Sequence, residues 1–453
     1  MLCRFAVCIA CLVGVAVQSR AEPVQLVEPF TSPLTLATHS QVVTQGKVFA
    51  LNAKGMQEPL EIQASASLRF RSRRLPPAGR EAVALREARE FTEAHVETTV
   101  AGHQTKSDLP AQLKVIVAAG QREGVRSYCP RVLMTRESLD LLEMPGDPLA
   151  LIALLPDQAI EPGGEWTPSD WAVQMLAGME SATETTCTCK LDSSDGGVAN
   201  VTLQANVVGQ RQGASATVKL VGRFAVQIAQ QYITGANLTY SVKSEVGTIN
   251  PGLEADVNVR LARQPVAEAG LLTTELLESL PLEPTETALE LVFDAVPWGM
   301  RVLHDRSWHL FQAVYDGQHP VAILRQMESG SLVCQCNIAP VSQVKPGDRT
   351  PPVQFEQDIQ QSLGNRLKTL TEQEEIPTAD GRFIYRVVAQ GEVELKGEDK
   401  ALQLPMNWIY YLVTNRDGRQ ISFVFAVEPH LRETLGERDR QLVTRMSFFG
   451  AGR

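Results

Sequence analysis

Apolar positions in this chain recur mostly with a period of two. LEIQASASLRF (60–70) and QLKVIVAA (112–119) alternate apolar with polar or small residues, which predicts strands with one buried face. A longer series follows. CTCKL (187–191), ANVTLQANVVG (199–209), ATVKLVGRFAVQIA (216–229), ANLTYSVKSEV (236–246) and ADVNVRLARQ (255–264) all alternate, and the turn-rich DSSDGG (192–197) separates the first two. Antiparallel strands in meander order are the economical arrangement. Helical spacing is rarer. AGREAVALREAREFTEAH (78–95) is compatible with a helix or a charged excursion. TRESLDLLEMPGDP (135–148) predicts a short helix ended by Pro145 and Gly146, and WAVQMLAGME (171–180) a second, with Ser169 available as cap.

A stretch punctuated by Pro265, Pro281 and Pro284 reads as a linker around one or two helical turns. Beyond it come DRSWHLFQAVYDG (305–317), PVAILRQM (320–327) and GSLVCQCNIAP (330–340), read as strands. An amphipathic helix carries Phe355, Ile359, Leu363, Leu367 and Leu370. Three more strands follow, GRFIYRVVAQGEVEL (381–395), NWIYYLVTN (407–415) and QISFVFAVE (420–428), with Asp417-Gly418 turning between the last two. Pro429 opens a terminal helical segment with Leu431, Leu435 and Leu442. The fold class expected is α+β: antiparallel β-sheet domains with helices, not a nucleotide-binding parallel sheet.

The first residues change the picture. Arg4 precedes an apolar run over 5–17, and Ser19-Arg20-Ala21 supplies small residues where a signal peptidase cuts. The expected division is a signal peptide at 1–21, an irregular leader at 22–41, a β-rich domain at 42–264 with two subunits meeting near 160, a linker at 265–294 and a last domain at 295–450. Export to the periplasm or beyond is expected, without lipidation at Cys11, because the apolar run continues well past it. No later run reaches the roughly 20 apolar residues of a membrane span. The net charge of −10 argues against a nucleic-acid partner. RFRSRR (69–74), the one dense basic run, is expected to be a solvated strand end. An envelope protein or a lipid remains as partner.

The C-terminal order of hairpin, helix, long strands and final helix resembles the PsbP-like α-β-α sandwich over about 296–449. FVFAVEPHLRETLGERDRQLVTRMSFF (423–449) is similar to the end of that family. GRFAVQIAQQYITGANLTYSVKSEVGTINPGLEADVNVRL (222–261), LVCQCNIAP (332–340) and NWIYYLV (407–413) resemble a family of exported bacterial proteins of the planctomycete type. The middle elements are similar in topology to lipoprotein carriers of the LolA kind, which implies a half-barrel. These resemblances imply architecture and location, and no catalytic residues.

Candidate chemistry centres on cysteines. In a strand, Cys187 and Cys189 share one face, as do Cys334 and Cys336, and their companions on that face are Leu191, Leu332 and Ile338. Free thiols packing as small hydrophobes are the expected outcome. Cα atoms two residues apart in a strand lie about 6.6 Å from each other, which is awkward for a bridge within a pair. If a disulfide forms, Cys129 with Cys187 or Cys189 is the expected one. A zinc site from Cys187, Cys189, Cys334 and Cys336 would need both pairs to converge, and C-x-C in a strand is not the usual ligand knuckle.

His304 and His309 fall on opposite faces of one strand in this reading, which opposes a shared metal. The acidic EQEE (372–375) and GEDK (397–400) read as solvated loops and lack the spacing of calcium loops. Trp408, Tyr410, Tyr411, Phe423 and Phe425 are expected as core on both sides of a sheet. No HExxH, GxSxG, Walker loop or GxGxxG occurs. No catalytic, cofactor or metal residue is therefore assigned. The function expected is a non-catalytic binding or scaffolding module using a sheet face or inter-domain cleft. The alternatives are an enzyme with dispersed catalytic residues, such as a hydrolase, or a thiol-based metal or redox protein.

Overall fold

The computed structural model describes residues 22–51, 57–77, 81–281, 283–328, 330–396 and 401–450. The expected signal peptide with Cys11, and GEDK at 397–400, lie outside these residues.

The chain enters its first sheet at the middle. Strands β1 (Thr35–Leu51), β2 (Gln57–Arg74), β3 (Arg86–Val100), β4 (His103–Asp108), β5 (Val115–Gln121) and β6 (Gly124–Tyr128) step outward to one edge. Helices α1 (Arg136–Leu142) and α2 (Pro148–Ile152), the short strand β7 (Glu165–Trp166) and helix α3 (Asp170–Ala177) carry it to the other edge. Strands β8 (Ser181–Ser193), β9 (Val198–Arg211), β10 (Ala214–Gln227), β11 (Tyr232–Ser244) and β12 (Gly252–Val266) return to the centre, where β12 pairs with β1. The result is one antiparallel sheet of 12 strands, ordered β6-β5-β3-β2-β1-β12-β11-β10-β9-β8-β7, with β4 paired to β3. A twisted sheet this wide curls or splits. Here β6 and β8, near opposite ends, both touch α3. The sheet therefore wraps the crossover helices.

Short helices α4 (Thr274–Ser279) and α5 (Glu286–Leu289) lead into the second half. There β13 (Leu291–Ala295) and β14 (Met300–His304) open a small sheet. Next come β15 (Trp308–Val314), β16 (Val321–Glu328), β17 (Ser331–Val341), α6 (Pro352–Leu363), β18 (Leu367–Ile376), β19 (Phe383–Lys396), β20 (Ala401–Thr414) and β21 (Gln420–Val427). Helices α7 (Arg432–Leu435) and α8 (Arg438–Thr444) and strand β22 (Met446–Phe448) finish the chain. Seven strands form the main sheet, β15-β16-β17-β21-β20-β19-β18, and β13-β14-β22 form the smaller one. Phe355, Ile359 and Leu363 of α6 cover one face with Trp408 and Tyr410, while Tyr411, Phe423 and Phe425 pack on the other against Leu442 and Met446. The aromatic set is thus core on both sides of β20 and β21.

Several expectations need correction. The segment 22–41 is not an irregular leader throughout: β1 begins at Thr35, Val24 bridges to Ile160, and Leu26 is fully buried. Residue 160 marks the crossover, not a boundary, because β1–β12 pairing makes both parts one sheet. REAREFTEAH, helix-compatible in sequence, is strand β3. Leu367 and Leu370 belong to β18, since α6 stops at Gly364 (φ +52). His304 ends β14 and His309 lies on β15, in different sheets. EQEE lies on β18, where Glu372 and Glu374 accept hydrogen bonds from Arg386 at 2.6 and 3.3 Å.

The basic run is corrected as well. Arg74 is not solvated; it belongs to a buried chain of charges across the inner face. Glu28 accepts from Arg74 (2.7 Å), from Arg263 of β12 (2.8 and 2.9 Å) and from the Ile233 N–H (2.8 Å). Arg74 also lies 3.7 Å from Glu87, which accepts from Arg89 Nε at 2.7 Å. Arg89 then donates twice to Asp147, at 2.7 and 2.6 Å, and Asp147 caps α2 through the Leu149 N–H. Three acids and three arginines, all buried, tie the N-terminal segment, β2, β3, β12 and the crossover together. This is why so polar a segment as β3 can be a buried strand: its Glu87 and Arg89 are paired with charges from elsewhere, and Arg86 donates to the carbonyls of Pro76 and Pro281.

Candidate functional site

An apolar groove of about 450 Å³ lies between the inner face of the first sheet and helix α1. Strand parity builds its floor. Even-numbered residues of β2 point inward, and the series Ile62, Ala64, Ala66, Leu68, Phe70 drops to methyl size in its centre. Val42 and Thr44 of β1, Val96 of β3 and Ser107 of β4 continue the floor. The neighbouring Leu68 and Phe70 are filled in by Leu139, Leu142 and Met144. Opposite the alanines nothing of that size comes down, and the groove is left.

The wall is α1 and the turn after it: Arg136, Glu137, Asp140, Leu141, Glu143, Met144 and Pro145. Thr135 caps the helix by accepting the Ser138 N–H at 3.1 Å. Gly146 takes φ +70 and turns the chain to Asp147, which accepts two hydrogen bonds from Arg89 that fix the loop. Leu310 of β15, 40% exposed, lines the mouth from the second half of the molecule. That half is held in place at α1. Val292 N–H donates to Met134 O at 2.9 Å, and Arg136 donates to the carbonyls of Arg306 (2.7 Å) and Trp308 (3.3 Å). Arg306 donates back to Ser127 O at 2.7 Å.

Three carboxylates share the groove side of α1, at 137, 140 and 143, three residues apart as one helix face requires. Glu137 accepts from Ser107 Oγ at 2.8 Å. Asp140 and Glu143 line the groove with side chains exposed to solvent. Burial raises Asp140 to about 6 against the pull of Arg136, and it raises Glu143 against Arg136, Arg211 and Arg306. Burial also lowers His304 and His309, the latter to about 4. Neither imidazole is charged near neutral pH.

The five described cysteines are free and buried. Cys187 and Cys189 pack inside the first sheet, Cys129 in a separate cluster with Leu113 and Ile116, and Cys334 and Cys336 in the second half. The pairing named for the case that a disulfide forms, Cys129 with Cys187 or Cys189, is not made in this structure, where the partners sit in different clusters. The two C-x-C pairs do not converge, and among the described residues no group of three or more His, Cys, Asp and Glu is placed to hold a metal. Burial pushes the Cys334 and Cys336 thiols up. The expected result with a thiol reagent is no labelling of the five in the native protein and complete labelling in denaturant, read by mass. Rapid native labelling of any of them would sink this account of their packing.

A second concavity, polar, lies over β18, lined by Glu372, Glu374, Arg386, Arg432, Glu437 and Arg440. Its charges compensate one another: Arg386 and Arg440 both bond Glu374, and Arg432 lies 3.8 Å from the buried Asp439. Sequence reasoning found the strand that carries the alanines but not the groove. The signal was there in parity, as two alanines on an inward face otherwise bearing Ile, Leu and Phe.

No protein-family model matches the chain, and no curated protein matches it. Among solved structures it has a likeness to PsbP of the cyanobacterium Synechocystis sp. PCC 6803, at 17% identity, over 40% of this chain and 100% of that one, with a TM-score of 0.27. Lipovitellin, from a structure concerned with lipid–protein interactions, matches at 8% identity over 53% of this chain and 26% of its own, with a TM-score of 0.30. Pseudomonas aeruginosa MucB, in complex with MucA, matches at 12% over 92% of this chain and 94% of its own, with a TM-score of 0.17. Scores this low carry no conclusion about function.

Proposed function

We propose that this chain is an exported, non-catalytic binding protein whose groove between α1 and the alanine floor of β1–β3 takes an apolar ligand. The observation that carries the reading is the groove itself. Its volume of about 450 Å³ falls within the roughly 300–1,000 Å³ typical of ligand sites. Its floor is Val42, Ala64, Ala66, Leu68 and Val96, and its frame is pinned by Arg89–Asp147 on one side and Arg136 on the other. Apolar surface kept open to water costs roughly 25 cal/mol per Å², so covering it contributes favourably to binding, against the cost of immobilising the ligand. The size favours an unbranched chain: about 450 Å³ holds only about one turn of an α-helix some 10 Å across. A C-terminal half of the PsbP-like kind fits this reading as the second wall, contributing Leu310.

No helix among the described residues is long and apolar enough to cross a membrane. On this reading the envelope supplies the ligand. The test is native mass spectrometry of the protein purified from its own envelope without reductant, followed by titration of the stripped protein with a fluorescent alkyl probe. The expected result is a stoichiometric retained ligand, or saturable probe binding at one site. A bare mass together with no saturable probe binding would end the proposal.

A further inference from the structure

We infer that the ligand carries one long unbranched alkyl chain, of about 18–20 carbons, because the floor of the groove runs on, uncovered, along the inner face of β1 and β2. This inference rests on the groove reading above and adds the length and path of the chain. Strand parity sets the path. Thr44, Gly46 and Val48 of β1 stand opposite Ala64, Ile62 and Leu60 of β2, and Val100 of β3 stands opposite Ile62. All of them lie on the face that carries the floor residues Val42, Ala64, Ala66 and Val96. Val48, Leu60, Ile62 and Val100 are half-buried, and none packs against any of the hydrophobic clusters among the described residues. The other face of the same strands is polar: Gln45, Lys47, Glu61, Gln63 and Ser65 are exposed, with Lys47 3.7 Å from Glu61. Gly46 leaves the middle of the strip low. There β1 passes so close to β12 that a Cβ would lie 2.2 Å from the Glu254 carbonyl oxygen.

Continuity and area together select the occupant. The strip begins where the groove ends, at Thr44 and Ala64, which line both. It is too small for a second copy of this chain: a stable dimer buries roughly 800 Å² on each partner, far more than four half-buried side chains offer. A chain already lying on the alanine floor covers the strip simply by being longer. The strand spacing fixes how much longer. Leu68 to Ala64, the part of β2 that lines the groove, spans about 13 Å, and Ala64 to Leu60 adds about the same again. An extended alkyl chain advances about 1.25 Å per carbon, so the groove alone takes about ten carbons and the groove with the strip about twenty.

The probes are lysophosphatidylcholines with acyl chains of about 10, 12, 14, 16 and 18 carbons, each below its micellar concentration, displacing a fluorescent alkyl dye. A fully buried methylene strengthens binding about fourfold, and one lying in a strip open on one side about half as much in free energy, or about twofold. Affinity is therefore expected to keep rising beyond 12 carbons, by about fiftyfold or more between 12 and 18. In Ile62→Asp, which puts a charge in the strip, that rise is expected to fall below about fivefold, while the 12-carbon probe binds within about twofold of wild type. Gln63→Asp puts the same charge on the outer face and is expected to keep the full rise. Melting curves of both variants show whether each is folded. A wild-type affinity that levels off at 12 carbons, an undiminished rise in Ile62→Asp, or an equal loss in Gln63→Asp overturns the inference and leaves the groove reading standing. So does a dimer in the native mass spectrum that Ile62→Asp dissociates, which would give the strip to a second copy. Failure of every chain length to displace the dye overturns both.

Discussion

Arg89→Met is expected to lower the stability of the first half by about 3–5 kcal/mol, because it strands the buried carboxylates of Glu87 and Asp147. For a unit of this size that corresponds to a fall in Tm of roughly 6–20 °C. Calorimetry reads it directly, and a loss below about 1 kcal/mol would show that the charges are not the tie they are described as. The same network predicts an acid limb. Burial alone would push Glu28 up; the charges of Arg263 and Arg74, with hydrogen bonds from Arg263 and the Ile233 N–H, overcome it and hold the carboxyl at about 2 against an ordinary 4.5. A depressed folded pKa contributes stability that is complete above the unfolded value and is lost as pH falls through the folded one. Glu28 therefore contributes about 3 kcal/mol above pH 4.5, vanishing toward pH 2. In Glu28→Gln that stretch of the pH–stability curve should flatten. Because Asp147 holds the turn carrying Met144 and Pro145, Arg89→Met is also expected to loosen the groove wall.

Ala66→Trp is the second large effect. Ala66 is half-buried on the floor of the groove, between Leu68 and Ala64. An indole there projects into the space the ligand needs and displaces no packed side chain. Binding of an alkyl probe is expected to fall beyond about tenfold, with stability unchanged within about 1 kcal/mol. The control is one residue away. Ser65→Trp puts the same ring on the outer, exposed face of β2 and should leave binding intact. Undiminished binding in Ala66→Trp would move the ligand out of this groove.

Much of the fold was legible in the pattern of residues. The meander over 187–264, the helices at α1, α3 and α6, and the strands around Asp417-Gly418 follow from period, caps and turn residues, all of them local. The errors share a cause. β3 carries Arg86, Glu87, Arg89 and Glu90 in a spacing that suits a helix; as a strand its Glu87 and Arg89 are paired by Arg74 and Asp147, from elsewhere in the chain. Leu367 and Leu370 kept the helical spacing of α6 across Gly364, where the backbone leaves the helix. Thr35 joined a strand because β12, more than 200 residues later, pairs with it.

By itself, then, the sequence determined which face of the meander strands over 187–264 is apolar, where α1 and α3 lie, and that its thiols sit among hydrophobic neighbours. These depend on side-chain alternation and backbone preference within a few residues. Only the tertiary structure decided that β1 and β12 join two meanders into one curled sheet, that Glu28 meets Arg263, and that α1 stands over two alanines. Those outcomes depend on which distant segments meet, and a groove is a property of two surfaces that fail to fill the space between them. Neither surface carries that information alone.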